Sequence, residues 1–231
     1  MQLKERSNKK ELLDSNDIPF NDIVTNMKEL NFINTWLGGH KISKEGLKQL
    51  AGNNKALTVC EIGCGGGDNL VALNQWCKQK NIQAKFIGID LKEPCIALGK
   101  TRKPQLENTT WIVNDYRNVV FDRKPDVIFS SLFCHHFTNG QLMEQLLWMQ
   151  QHSTIGFFIN DLERNPLAYY FIKMLTFLFS SSYLVKNDAP LSVARGFKKR
   201  EWQCLFQSVN LLQFRVEWKW AFRHLITCKH G

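Results

Sequence analysis

Residues 61–68 read Glu-Ile-Gly-Cys-Gly-Gly-Gly-Asp, and this run limits what the chain can become. A short apolar, β-branched stretch (57–62) leads into it. A helix-periodic stretch (69–80) follows, with Leu70, Leu73, Trp76 and Cys77 on one face. Glycines there let the backbone turn sharply and approach a ligand with no Cβ in the way. The start of the next helix offers unpaired N–H groups. In the first strand-to-helix turn of a doubly wound sheet, such a loop is a nucleotide-type cofactor site. The spacing is G-x-G-x-G, and Asp68 stands where the third glycine of a dinucleotide loop would fall. A carboxylate beside the loop repels a pyrophosphate and suits a cationic ligand. Taken alone, the run is also compatible with a plain glycine-rich turn.

The rest of the chain repeats the strand–helix rhythm. Apolar runs at 84–89, 110–113, 125–130 and 154–159 read as strands, and 93–103 and 140–151 as helices, the first ended by Pro104. Runs that are apolar throughout, rather than alternating, fit a parallel sheet covered on both faces. Residues 199–208 read as a helix. The segments 213–220 and 222–228 alternate with period two and read as a closing antiparallel pair. Residues 1–55 are more polar, with helical stretches at 21–37 and 43–51 separated by Gly38-Gly39.

Acids follow the strands at useful places. Asp90 ends the second strand, where a carboxylate can accept both hydroxyls of a ribose or simply cap the next helix. Asn114-Asp115 follows the third strand and could reach an adenine edge, with Tyr116 near the ring, or serve as a turn. Together, Glu61-x-Gly63-x-Gly65-x-Gly67, Asp90, Asp115 and the strand Asp126-Val-Ile-Phe-Ser-Ser131 resemble the class I S-adenosylmethionine-dependent methyltransferases. The resemblance spans about residues 56–161 by motif and the terminal pair by order. It implies an α/β, doubly wound, mostly parallel seven-stranded Rossmann-like sheet whose last strand is inserted antiparallel beside the fifth. It divides the chain into an N-terminal helical cap (1–55) and a methyltransferase domain (56–231) with an apolar lid insertion at about 162–198. It implies S-adenosyl-L-methionine as cofactor. Gly63, Gly65 and Gly67 would border the methionine part and Glu61 would help hold its amino group. Asp90 would take the ribose with Leu91 beside the adenine, and Asp115 the adenine amine with Tyr116 alongside. Ser130 and Ser131 would line the pocket floor.

A narrower likeness rests on four blocks: Glu11-Leu-Leu-Asp14, Asn34-Thr-Trp-Leu-Gly-Gly-His40, Asn160-Asp161-Leu-Glu-Arg164-Asn-Pro-Leu-Ala-Tyr169 and Ala194-Arg195-Gly196-Phe197. These look like the small-molecule methyltransferases of secondary metabolism found beside type III polyketide synthases. That subgroup implies a phenolic or pyrone-type acceptor.

Methyl transfer from a sulfonium is a direct displacement, so the protein must position an acceptor and, for a hydroxyl, remove a proton. Leu132-Phe-Cys-His135-His136-Phe137 follows the fourth strand, at the carboxyl edge where open α/β sheets place reactive groups. His135 and His136 are therefore the candidate bases, with helix capping as the alternative. Neighbouring side chains usually diverge, and no Cys or His spacing supports a metal site, so none is expected. Asp161 ends the fifth strand and either orients a histidine or hydroxyl, or caps a helix or pairs with Arg164. His40 either folds over the cofactor or lies in an exposed loop. Cys64 and Cys134, beside the expected cleft, read as small apolar filler.

Ten of the twelve residues 168–179 are apolar, including Tyr169, Tyr170, Phe171, Phe177 and Phe179. They form either an aromatic acceptor pocket or plain core. The stretch 166–185 carries one charge, Lys173, and is broken by Ser180-Ser181-Ser182, which argues against a membrane span. Thirty Lys+Arg against 21 Asp+Glu give a net charge of +9, which admits a polyanion or a transient membrane-surface contact as well as a solvated surface. RNA or DNA methylation is the alternative reading. Against it, no separate RNA-binding segment is visible, and the fourth strand lacks the Asp/Asn-Pro-Pro-Tyr/Phe motif of base-amine methylation. A non-catalytic cofactor-binding regulator is a third. Seven cysteines without a metal pattern, and a start with no apolar run, fit a reducing cytoplasm.

Overall fold

In the computed structural model, which describes residues 3–15, 17–101 and 105–230, seven strands form one sheet. They are β1 (Ala56–Ile62), β2 (Gln83–Asp90), β3 (Thr109–Val113), β4 (Val127–Ser131), β5 (Gly156–Leu162), β6 (Phe214–Lys219) and β7 (Arg223–Lys229). The spatial order is β3-β2-β1-β4-β5-β7-β6. The first five strands run parallel, and β7 is antiparallel to both β5 and β6. This is the doubly wound, mostly parallel arrangement expected, including the strand inserted beside the fifth. The strand order reverses between β1 and β4, which opens a crevice at their carboxyl ends.

Both sheet faces are apolar, as the unbroken hydrophobic runs require. Leu57, Val59, Phe86, Phe129 and Phe158 pack on one side with Leu47, Leu50, Leu70 and Leu73. Those come from α2 (Gly39–Ala51) and α3 (Asp68–Gln79). Cys60, Ile62, Ile128, Phe157 and Ile159 pack on the other side with Leu142, Leu146, Trp202 and Phe206. Those come from α5 (Asn139–His152) and α8 (Lys199–Ser208). Gly46 lets α2 press onto β5, since a Cβ there would lie 2.6 Å from the Phe158 ring. The N-terminal region thus supplies part of the sheet's cover through α2, while α1 (Phe20–Trp36) packs against α4 (Glu93–Lys100) and further helices.

The stretch 166–185 is two helices, α6 (Pro166–Phe179) and the start of α7 (Tyr183–Arg195). The three serines form the break. Ser180 caps the end of α6, and the Ser182 hydroxyl accepts from the Val185 N–H at the start of α7. Glu29 of α1 pins the break by accepting hydrogen bonds from Ser180, Ser181 and Ser182. Among the described residues no helix is long and apolar enough to cross a membrane. The end of the α4 stretch at Lys103 and Pro104 falls outside the described residues.

Candidate functional site

A cavity of about 570 Å³ opens at the carboxyl ends of the strands. One wall is the glycine loop. At Gly63 the backbone takes φ +67°, and a Cβ would lie 2.2 Å from the Phe133 ring, so glycine is required on both counts. The Gly65 N–H donates to Asp90 Oδ2 at 2.8 Å, and the Lys92 N–H donates to Asp90 Oδ1 at 2.8 Å. Asp90 thereby ties the loop to the tip of β2 while lining the cavity. Its burial pushes the carboxyl pKa up, against those two N–H bonds.

Gly67 is not among the residues lining the cavity; a Cβ there would lie 2.5 Å from the Trp111 ring, so this glycine admits the indole under the loop. Gly63, Gly65 and the unforeseen Gly66 are the glycines at the cavity. Glu61 is buried, and burial raises its pKa well above the ordinary carboxyl range. Its Oε1 accepts from Asn69 Nδ2 at 3.2 Å, and its Oε2 has no partner.

Leu91, Asp115, Tyr116 and Ser131 all line the cavity. Leu91 is exposed, whereas Tyr116 is buried edge-on against Trp148, with ring centroids 5.0 Å apart. Asp115 is partly engaged already: it caps the turn after β3 and pairs with Arg117. Ser131 and Ser130 separate, as successive strand residues must. Ser131 lines the cavity and accepts from Asn160 Nδ2 at 3.3 Å, whereas Ser130 turns away to Cys134. His40 is neither in a loop nor in the cavity lining. It lies in the first turn of α2, held by Asn31, Asn34 and Asn69, and burial keeps its pKa low.

The two histidines sit in a tight turn after β4 and both line the cavity. Contrary to the divergence expected of neighbours, they converge on one carboxylate. His135 Nε2 lies 3.4 Å from Glu11 Oε1, and His136 Nε2 lies 3.7 Å from Glu11 Oε2. Each Nδ1 has a carboxylate of its own: Asp161 at 2.7 Å for His135, Asp14 at 3.1 Å for His136. Asp161 also accepts from the His135 backbone N–H, so it orients a histidine; Arg164 pairs instead with Glu201. Burial opposes charge on His135, yet Asp161 and Glu11 lift its pKa to about 9. Glu11, His135 and His136 also bring their ligand atoms within 4.8 Å of one another, close enough to share a cation.

Sequence reasoning singled out neither Glu11 nor Asp14 for this site. Their block was visible only as part of the narrower likeness. The N-terminal segment that carries them is strapped down across the fold. Arg6 donates to the His135 and Phe137 carbonyls, Arg195 to those of His135 and His136, and Asp188 accepts from the Leu12 and Leu13 N–H groups.

The remaining wall is apolar. Ala168, Phe171 and Ile172 of α6, Ile33 of α1, Leu37 just after it, and Phe222 line it. Only Ala168, Ile172 and Thr176 of α6 are buried, so the helix is not ordinary core. Its outer face shows Leu167, Tyr170, Met174, Phe177, Leu178 and Phe179 to solvent, the last 79% exposed.

With this geometry in view, the comparisons with known proteins are informative. Residues 59–153 match a family model described as a methyltransferase domain. No curated protein matches the sequence significantly. Among solved structures, the plantazolicin methyltransferase BpumL, in complex with SAH, is similar at TM-score 0.68 and 16% identity, covering 94% of this chain and 92% of that one. An Aquifex aeolicus SAM-dependent methyltransferase gives TM-score 0.63 and 16% identity over 92% and 99%. Human N-acetylserotonin methyltransferase, in complex with SAM, gives TM-score 0.64 and 14% identity over 92% and 57%.

Proposed function

We propose that this chain, which has the class I fold and a methyltransferase-domain match over residues 59–153, is an S-adenosylmethionine-dependent enzyme that O-methylates a small lipophilic or aromatic acceptor of the phenolic or polyketide type. The observation that supports it is the division of the cavity. One wall has polar groups suited to the cofactor, the other is apolar, and the histidine–carboxylate cluster lies at the same cavity.

The residues present fit the cofactor. Glu61 Oε2, buried without a partner, suits the ammonium group, whose positive charge would restore the carboxylate form. Asp90 has lone pairs left for ribose hydroxyls, and Leu91, Asp115 and Tyr116 frame the adenine. Gly63, Gly65 and Ser131 would border the methionine part. When bound, the cofactor supplies a methyl group on a positively charged sulfur. The protein then orients the acceptor oxygen in line and takes its proton. His135, an imidazolium held between Asp161 and Glu11, positions the cluster. His136, more exposed to the cavity and anchored by Asp14, takes the proton.

The small-molecule likenesses support the acceptor class: two of the similar structures are methyltransferases of plantazolicin and of N-acetylserotonin. Tritium-labelled methyl donor offered to metabolite extracts and to RNA tests the reading. Label in organic-extractable metabolites is the expected result; label in RNA would replace it with nucleic-acid methylation. The outer face of α6, with the net charge of +9, supports transient contact with an anionic membrane surface. Co-sedimentation with anionic vesicles, lost in Phe177→Ser/Phe179→Ser, is expected.

A further inference from the structure

His40 closes the Asn34-Thr-Trp-Leu-Gly-Gly-His40 block, and the chemistry proposed above leaves it unused. The two glycines of the block explain how it is seated. Gly38 takes φ +76° and turns the chain from α1 into α2. A Cβ on Gly39 would lie 1.7 Å from Asn34 Oδ1, so glycine there makes room for the Asn34 side chain. The imidazole then meets three asparagines. Asn69 Oδ1 lies 3.0 Å from Nδ1, nearer than Asn34 Nδ2 at 3.3 Å, and an amide oxygen there calls for the ring proton on Nδ1. Nε2, left as the acceptor of a neutral ring, faces the side-chain amide of Asn31 at 3.0 Å and requires its NH2 end. Asn69 in turn donates from Nδ2 to Glu61 Oε1 at 3.2 Å, and Glu61 Oε2 has no partner. Asn31, Asn34, Asn69 and Glu61 all line the cavity, whereas His40 does not.

We propose that His40 is a positioning residue for the cofactor: through Asn69 it holds Glu61 ready for the ammonium group of the amino-acid end. This rests on the assignment of Glu61 to that group given above. A side-chain amide has two ends of similar shape and opposite hydrogen-bonding sense. Turned round, Asn69 would bring its oxygen against the Glu61 carboxylate and remove that donor. The Nδ1–H of His40 selects the other orientation. Burial keeps the ring below its usual pKa, so one N–H on a neutral imidazole does this. The chain of contacts runs from α1 and α2 through the first turn of α3 to β1, and so brings the N-terminal helices to bear on the amino-acid end of the cofactor and not on its nucleoside.

The test titrates the full chain calorimetrically with S-adenosylhomocysteine and with 5′-methylthioadenosine, which keeps the nucleoside and lacks the amino-acid end. His40→Leu is expected to weaken the first about tenfold, the scale of a charge-assisted hydrogen bond, and to leave the second unmoved. His40→Asn is expected to restore most of that loss, because its Nδ2 can stand where the ring's Nδ1 stands. His40→Gln, whose amide reaches the Nε2 position instead, should bind like His40→Leu, and it carries the test if the leucine variant does not fold. A loss shared by both ligands, or one that asparagine and glutamine repair equally, would reduce His40 to a packing role and overturn the proposal. Glu61→Gln separates the two layers of the argument. It should cost S-adenosylhomocysteine at least as much affinity as His40→Leu does. Lost affinity in Glu61→Gln beside full affinity in His40→Leu would strike His40 alone. Full affinity in Glu61→Gln would strike the Glu61 assignment and the proposal with it.

Discussion

The two sides of the cavity are built differently. On the side proposed for the cofactor, the polar groups come from consecutive strand tips: Glu61 in β1, the loop at 63–66, Asp90 at the end of β2 and Asp115 after β3. Each is placed by the sheet itself, and Asp90 locks the loop through the Gly65 N–H. On the acceptor side, the parts come from all over the chain. Glu11 and Asp14 meet His135 and His136 across more than a hundred residues, α6 comes between β5 and α7, and Phe222 comes from just before β7. The first side has one geometry fixed by backbone, and the second is an assembly of long-range contacts. A fold that keeps its cofactor chemistry while changing its acceptor would divide its labour this way.

The sharpest way to break this contrast is Gly63→Val. Positive φ and the Phe133 ring both forbid the side chain, so cofactor affinity should fall about a hundredfold or more, measured by calorimetry with S-adenosylhomocysteine. Retained affinity would mean that the loop is not the rigid half. Asp90→Ala should weaken the same binding at least about tenfold, as loss of charge-assisted hydrogen bonds predicts. Unchanged affinity would refute the ribose assignment. Phe171→Ala sits on the other wall and should behave oppositely. The acceptor KM should rise about three- to tenfold, with cofactor affinity unmoved, because roughly 1 kcal/mol of apolar contact is lost.

The smallest effect is a pH dependence confined to the long-range assembly. His135 has a folded pKa of about 9, raised above the unfolded value of about 6.5. Its ionic stabilisation is complete below about pH 6.5 and is lost as pH rises through about 9. The melting temperature of wild type should therefore decline over that window. Asp161→Asn should be less stable throughout and show a shallower decline. Parallel slopes would show that the Asp161–His135 pair does not carry the charge.

The same contrast decides what could be read from the sequence. The strands and the glycine loop were legible because periodicity and glycine placement are local signals, and Asp90 falls at a strand end that those signals define; the order of the strands in the sheet came only with the family resemblance. The packing of Trp111 under Gly67 was not legible, because spacing cannot say which glycine makes room for a side chain. The break of 166–185 at Ser180–Ser182 was visible in the sequence, whereas its pinning by Glu29 is a tertiary contact. The convergence of His135 and His136 on Glu11 was invisible for the same reason: nothing in either segment specifies the other.

A crystal structure of the protein with S-adenosylhomocysteine tests the central claim most directly. The account predicts ribose hydroxyls within hydrogen-bonding distance of Asp90, the amino group on Glu61 Oε2, and the sulfur turned toward His136 and the apolar wall. The nucleoside bound elsewhere, or in this cavity with its sulfur turned away from that wall, would contradict it.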